Sequence, residues 1–419
     1  MAASSKIARK NLLEDKTRLL VAQAGIMFAV SLVTIQLGIL RGFTRSTAML
    51  VDYSRADLWV AHADFKYLEL TAAMPAENLQ KATQVPGVER AEVLLMRGGR
   101  WRNPAGELST VRIWGFNPDG GMFAGWPVTQ GKVSDLNQPY TVFVDQASLG
   151  SLDVSKVGDT ARIGNLPITI VGLTTDTKSN ASSAFLYTSL ETANAYGAAE
   201  LNSAINCQRN DDGSLNCNNQ YSTQAIAEAL KNPPAPKRLS LGDPINYILI
   251  KAKPGEDLNA LRQRLQTQIP DTKVFTTPEL AKLTRNYWEE RTSVGFILGL
   301  GAAVGFIVGM VIVGQILYAS VADHIREFGT LKAMGASNWV IYSVIVEQAL
   351  WMAVLGYIPS MVLCVGLSHW TLAAKGVLIL IEPMTGAIVF VLTVGMCVGS
   401  ALFAVQKVTR VDPAIVFKA

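Results

Sequence analysis

The chain has 419 residues, 49% of them hydrophobic and 17% charged, with a formal net charge of +4. Basic residues beside its apolar segments account for an excess of that size, and no run of like charge suggests a nucleic-acid partner. The histidines His62, His324 and His369 are scattered, and there is no G-x-S-x-G elbow, H-E-x-x-H pair or zinc-spaced cysteine cluster, so no catalytic or metal-binding residue is assigned.

From the N-terminus, Lys6, Arg9, Lys10, Lys16 and Arg18 precede a charge-free stretch from Leu19 to Leu40. A bilayer-spanning helix needs about 20 apolar residues, and this stretch is too long for the apolar core of a signal peptide. It is expected to be a retained membrane helix over residues 19–40. Residues 1–18 mix Ile7, Ala8, Leu12 and Leu13 with the basic residues. They suit a cytoplasmic amphipathic helix at the membrane surface, although a plain positive-inside segment fits them equally.

Residues 41–292 then form one extracytoplasmic insertion, more than half the chain. Asp57 to Ala63 alternates like a half-buried strand, Pro75 to Gln84 reads as a short helix, and Val85 to Val88 turns into a strand at Ala91–Arg97. A comparable unit recurs in Asn246 to Lys251, Glu256 to Gln268 and Lys273 to Thr276. The two units are expected to be halves of one membrane-proximal subdomain, about 56–118 and 237–278, with a β-rich lobe inserted over about 119–236. Cys207 and Cys217 bracket a polar loop, a spacing suited to a disulfide outside the cytoplasm. Such a loop closure contributes roughly 2–3 kcal/mol in the chain-entropy model; two exposed thiols are the other reading. Cys364 and Cys397 fall in apolar spans as buried small groups.

Ser293 to Ala322 carries no charged side chain, and two further charge-free stretches run from Gln348 to Ser368 and from Pro383 to Gln406. The expected spans are 293–318, 340–367 and 385–406, joined by a polar segment over 319–339 and a short outer loop over 368–384, with a cytoplasmic tail over 407–419. Basic residues favour both termini and the 319–339 segment on the cytoplasmic side. The fold class is an α-helical membrane protein with four transmembrane helices plus a large mixed α+β extracytoplasmic domain. Gly301, Gly305 and Gly309 repeat every four residues, a ridge that permits close helix packing. Its partner is either a second copy of the chain or another helix of the same subunit. Ile325, Phe328 and Leu331 recur at three-residue spacing, which suits a short helix presenting Arg326, Glu327 and Thr330 elsewhere, with Gly335 placed to end it.

Arg326-Glu327-Phe328-Gly329-Thr330-Leu331-Lys332-Ala333-Met334-Gly335-Ala336 resembles the R-E-x-G-x-x-K-A-x-G-A cytoplasmic loop of FtsX-like and MacB-like (type VII) ABC transporter permeases. Tyr287-Trp288, Gly305 to Gly309, Gln315 to Tyr318, Asp323-His324, Asp15-Lys16, Trp101, Asn103-Pro104 and Asp412 to Ala414 look like the DevC-type branch of glycolipid exporters. The resemblance implies an inner-membrane permease that docks a separate ABC ATPase, present in two copies, through Asp323, His324, Arg326, Glu327, Phe328, Gly329, Leu331, Lys332 and Gly335. It implies a homodimer working with a periplasmic adaptor protein and an outer-membrane channel on a lipid-like cargo. The sequence holds no G-x-x-x-x-G-K-[ST] loop, so no cofactor is expected on this chain, and ATP and Mg belong to the partner. Lipoprotein release, peptide or drug efflux, and regulation of a periplasmic cell-wall hydrolase are the other functions the family implies. It further implies mechanotransmission along a second helix continuous from Glu279 to Tyr318.

Overall fold

The computed structural model describes residues 16–199, 204–209, 215–220, 230–335 and 337–409. The expected N-terminal amphipathic helix up to residue 15 and the tail beyond residue 409 lie outside the described residues. The chain divides into two compact units, Met1–Gly42 with Thr292–Ala419, and Phe43–Arg291.

Helix α1 (Lys16–Tyr53) belongs to both units without interruption. The expected end at residue 40 is only the limit of its uncharged stretch. Arg41 and Arg45 end an apolar span without ending a helix, because no proline follows them. Gly42 within it serves close packing: a Cβ there would overlap the Leu378 carbonyl.

The α/β unit continues with β1 (Leu58–His62), β2 (Met74–Pro75), α2 (Asn78–Thr83), β3 (Val88–Arg102), β4 (Leu108–Phe116) and β5 (Val128–Gln130). It goes on through β6 (Thr141–Asp145), β7 (Thr160–Ile163), β8 (Leu166–Thr174), β9 (Ala184–Ser189), α3 (Leu190–Ala199), β10 (Ala204–Arg209) and β11 (Leu215–Gln220). It closes with β12 (Pro244–Ile245), β13 (Tyr247–Ala252), α4 (Leu258–Gln268), β14 (Thr272–Thr276) and α5 (Thr277–Arg291).

Strand order β14-β1-β13-β3, antiparallel throughout, interleaves two strand–helix–strand halves, β1–α2–β3 and β13–α4–β14. The first strand is buried on both faces rather than half-buried. Leu58 and Val60 pack with Ile248, Ile250, Ala82, Leu261 and Leu265 on one side. Trp59 and Ala61 pack with Leu94, Leu249, Leu50 of α1 and Leu280 of α5 on the other. Helices on both faces explain the unbroken apolar run Leu58 to Ala61.

Strand β3 is shared between two lobes. Val88 to Leu94 pair with β13, and Leu95 to Arg102 pair with β4. The second half enters a ring of six strands, β3-β4-β9-β6-β8-β7, which closes where Trp101 and Arg102 pair with Ile163 and Arg162. The lobe boundary expected near residue 118 therefore falls inside β3, at Leu94–Leu95, and β4 belongs to the ring. Gly99 sits close to this closure, where an added Cβ would come within 2.9 Å of Ile113 Cδ1 and 3.2 Å of Ile163 Cδ1. Trp101 fills the ring and donates its indole N–H to the Leu152 carbonyl at 3.0 Å. The segment expected as a polar loop is the hairpin β10–β11, with Cys207 opposite Cys217; the state of their sulfurs lies outside the described side chains.

The helical unit adds α6 (Val294–Asp323), α7 (Ile325–Ala333), α8 (Asn338–Lys375) and α9 (Pro383–Thr409) to the first part of α1. Four helices are long and apolar enough to cross a membrane, over Leu19–Tyr53, Val294–Asp323, Trp339–Leu372 and Pro383–Val405. A helix continuous from Glu279 to Tyr318 is not found: α5 stops at Arg291, and Ser293 caps the start of α6. Thr292 and Ser293 are weak helix formers followed closely by Gly295, a composition that breaks helices.

The glycine ridge of α6 packs inside this unit. A Cβ on Gly301 would meet Gln36 Nε2 at 2.6 Å, one on Gly305 would meet Leu32 Cδ2 at 3.1 Å, and one on Gly309 would overlap Met396 and Ala29. Of the two partners the spacing allows, the structure seats α1 and α9 of the same chain against the ridge. The helix-bundle core around it contains Ile26, Val33, Val313, Leu317, Ile345, Met352 and Met396.

Candidate coupling site

The segment between the second and third spans is built around His324, which caps α6 at its C-terminus and α7 at its N-terminus. Its backbone N–H donates to the Ser320 carbonyl at 3.2 Å, and its Nδ1 lies 2.9 Å from the same oxygen. One residue thus turns the long span into a helix of nine residues. Gly335, at φ +89°, ends that helix with its N–H on the Lys332 carbonyl at 3.0 Å. A left-handed conformation favours glycine at this position.

Phe328 roots the short helix. Its side chain is 3% exposed and packs in the core of the helical unit. Ile325 is half-buried and Gly329 is buried, whereas Asp323, Arg326, Glu327 and Thr330 are exposed and Lys332 is half-buried. The side chain of Leu331 lies outside the description. Thr330 bonds the Arg326 carbonyl at 2.8 Å, so its hydroxyl is used within the helix.

Two exposed residues of this segment carry no signal in the sequence motif. Met334 is 72% exposed and Trp339 is 81% exposed, close in sequence on either side of the turn after α7. Together with the exposed Arg326 and Glu327, the segment offers both apolar and charged side chains to a partner, a mixture that suits protein recognition. A Met at the end of the short helix and a Trp at the start of the third span, large apolar side chains next to a polar segment, are the one clue to them in the sequence. Among the described residues, no group of three or more His, Cys, Asp or Glu side chains is arranged to hold a metal ion.

Two family models match successive parts of the chain. The model of the MacB-like periplasmic core domain matches residues 19–268, and that of the FtsX-like permease C-terminal matches residues 299–413. An uncharacterized ABC transporter permease of Methanocaldococcus jannaschii is 26% identical over 182 residues, which are 40% of this chain and 44% of that one. The macrolide export ATP-binding/permease protein MacB of Hyphomonas neptunium is 25% identical over 142 residues, 34% of this chain and 22% of that one. The chain thus spans less than half the length of these relatives. The crystal structure of the periplasmic region of MacB from Actinobacillus actinomycetemcomitans aligns with a TM-score of 0.34 and 11% identity, covering 56% of this chain and 96% of that one. The first of the matched models covers more than half of the sequence and takes in the α/β unit from its start to residue 268, which places that unit outside the cytoplasm. The chain belongs to the MacB-like and FtsX-like family of ABC permeases.

Proposed function

We propose that this chain is the transmembrane subunit of an ATP-driven exporter in the bacterial inner membrane. A short helix is anchored by Phe328 in the bundle and presents Arg326 and Glu327 at its surface, with the exposed Met334 at its C-terminal end and the exposed Trp339 at the start of α8. That observation carries the reading, because a surface of this kind can bind a partner while the anchor passes the partner's movement to the spans. The partner is a separate ABC ATPase in two copies, holding ATP and Mg, and the permease works as a homodimer. Two relatives bear names that pair export with an ATP-binding part, the MacB of Hyphomonas neptunium and the pyoverdine export ATP-binding/permease protein PvdT of Pseudomonas savastanoi pv. phaseolicola. This sequence holds no phosphate-binding loop of its own.

Closure of the ATPase moves the permease only to the extent that it binds the short helix differently in its two states. The relay to the α/β unit then has two routes: α1, unbroken from Lys16 to Tyr53, and the α5–α6 pair, jointed at Thr292–Ser293. Cargo is handled outside the bilayer core, in a tripartite assembly with a periplasmic adaptor and an outer-membrane channel. The DevC-type residues favour an amphiphilic cargo such as a glycolipid. Purification of the tagged chain in mild detergent, with mass spectrometry of what accompanies it, tests the assembly. An ATPase with an adaptor supports it; an ATPase with a cell-wall hydrolase and no adaptor replaces it with a non-transporting relay.

A further inference from the structure

We infer that Cys207 and Cys217 are joined by a disulfide that staples the two-stranded pair β10–β11 of the α/β unit. In the ladder that runs from Ala204↔Gln220 to Arg209↔Leu215, the two cysteines are direct partners, with paired positions on both sides. Directly opposed residues of an antiparallel pair have Cα atoms about 4.5–5.5 Å apart. A disulfide spans roughly 4.4–6.8 Å between Cα atoms, so the register meets its requirement without moving the backbone. A slip of one residue would set the two cysteines on opposite faces of the ribbon.

The hairpin also needs a staple. Among the described residues β10 and β11 pair only with each other, and an isolated two-stranded ribbon is marginal in water. Local propensity works against it as well. Asn206, Gln208, Asn216, Asn218, Asn219 and Gln220 fill half of its strand positions, and asparagine is depleted in strands. A cross-link at a central pair removes much of the freedom that would otherwise open the ribbon.

The inference rests on the extracytoplasmic placement of the α/β unit, where disulfides persist. In the bond-forming step the two thiols pass two electrons and two protons to the disulfide of an extracytoplasmic thiol–disulfide oxidoreductase, which leaves as a dithiol. Cys364 and Cys397 are free and buried in the helical unit and take no part.

The test counts thiols on the full-length chain, purified without reductant and unfolded in guanidinium with excess maleimide. Two of the four cysteines should be alkylated, rising to four after reduction, with a peptide map linking Cys207 to Cys217 in one chain. Four alkylated cysteines before reduction, or a link between two chains, would overturn the proposal. Hydrogen exchange on the folded protein tests the stapling role: reduction, or Cys217→Ser, should speed exchange across residues 204–220 by roughly 10-fold or more. Unchanged exchange would leave the staple without a purpose and contradict that role. A membrane-impermeant maleimide on reduced intact cells separates the two failures. If it labels Cys207 and Cys217 while unreduced protein also shows four free thiols, the placement stands and the disulfide does not.

Discussion

Glu69 ties the two lobes of the α/β unit together. It is 7% exposed, accepts from Arg112 Nε of β4 at 2.9 Å and from Ser182 Oγ at 2.6 Å. The loop that carries it is itself held, with the Leu68 carbonyl accepting from Tyr247 and the Leu68 N–H donating to Thr284 of α5. Removing one partner of a buried pair leaves the other charge uncompensated, at a cost of about 3–5 kcal/mol when both are fully buried. Arg112 is partly solvated, so Arg112→Ala is expected to cost about 2 kcal/mol in denaturant unfolding. A loss below the error of that measurement would show that the pair does not hold the lobes. Glu92 behaves differently. Burial raises its carboxyl pKa, against the lowering effects of Arg90 and a backbone hydrogen bond from Met122. Arg90 Nε is 3.2 Å away, yet Oε1 has no hydrogen bond of good geometry among the described residues. The folded state therefore holds this proton more tightly than the unfolded chain. The contribution to stability is full below the ordinary carboxylate range and is lost as pH rises through the raised value. Glu92→Gln, which stays neutral, should match the parent protein in thermal unfolding near pH 4 and exceed it near pH 8. An equal difference at both pH values would remove titration of Glu92 as the cause.

At the scale of elements, the glycine ridge makes a clear demand. Leucine at Gly309 would collide with Met396 and Ala29, so Gly309→Leu should destabilise the helical unit by about 2–3 kcal/mol in a detergent unfolding titration. Normal stability together with weakened self-association would return the ridge to a contact between chains. The four-residue repeat shows that something approaches closely; it does not show what, because a packing ridge reads alike whichever helix fills it. The spans themselves were legible, since charge-free length is the property that a bilayer selects. Their ends were less so. Arg41 closes the apolar stretch while α1 runs on to Tyr53, and Thr292–Ser293 breaks a helix whose flanks both read as helical. Short β-branched and aromatic runs at Tyr140–Val144 and Phe185–Tyr187 are the sequence signal behind the β-rich lobe, and strands Thr141–Asp145 and Ala184–Ser189 form there. The sharing of β3 was not legible, because a strand's alternation continues unchanged when its partner changes from β13 to β4. In the coupling segment, Phe328 followed from helical spacing, but the exposure of Met334 and Trp339 depends on where the turn at Gly335 sends the chain.

At the scale of the whole molecule, the proposed function requires an ATPase to dock on the segment between the second and third spans and its movement to reach the α/β unit through α1 and the α5–α6 joint. The division of labour rests on the short helix, so its surface is where the account is most exposed to test. Glu327 is exposed at the start of α7 and absent from the bundle core, so reversing its charge leaves the fold alone. The decisive measurement is ATP hydrolysis by the reconstituted permease–ATPase complex with Glu327→Arg beside the parent chain. The account predicts normal membrane insertion and unfolding with stimulation of hydrolysis reduced at least about 10-fold, a loss of roughly 1.4 kcal/mol in coupling. Full stimulation by the variant would contradict the docking of the ATPase on this helix.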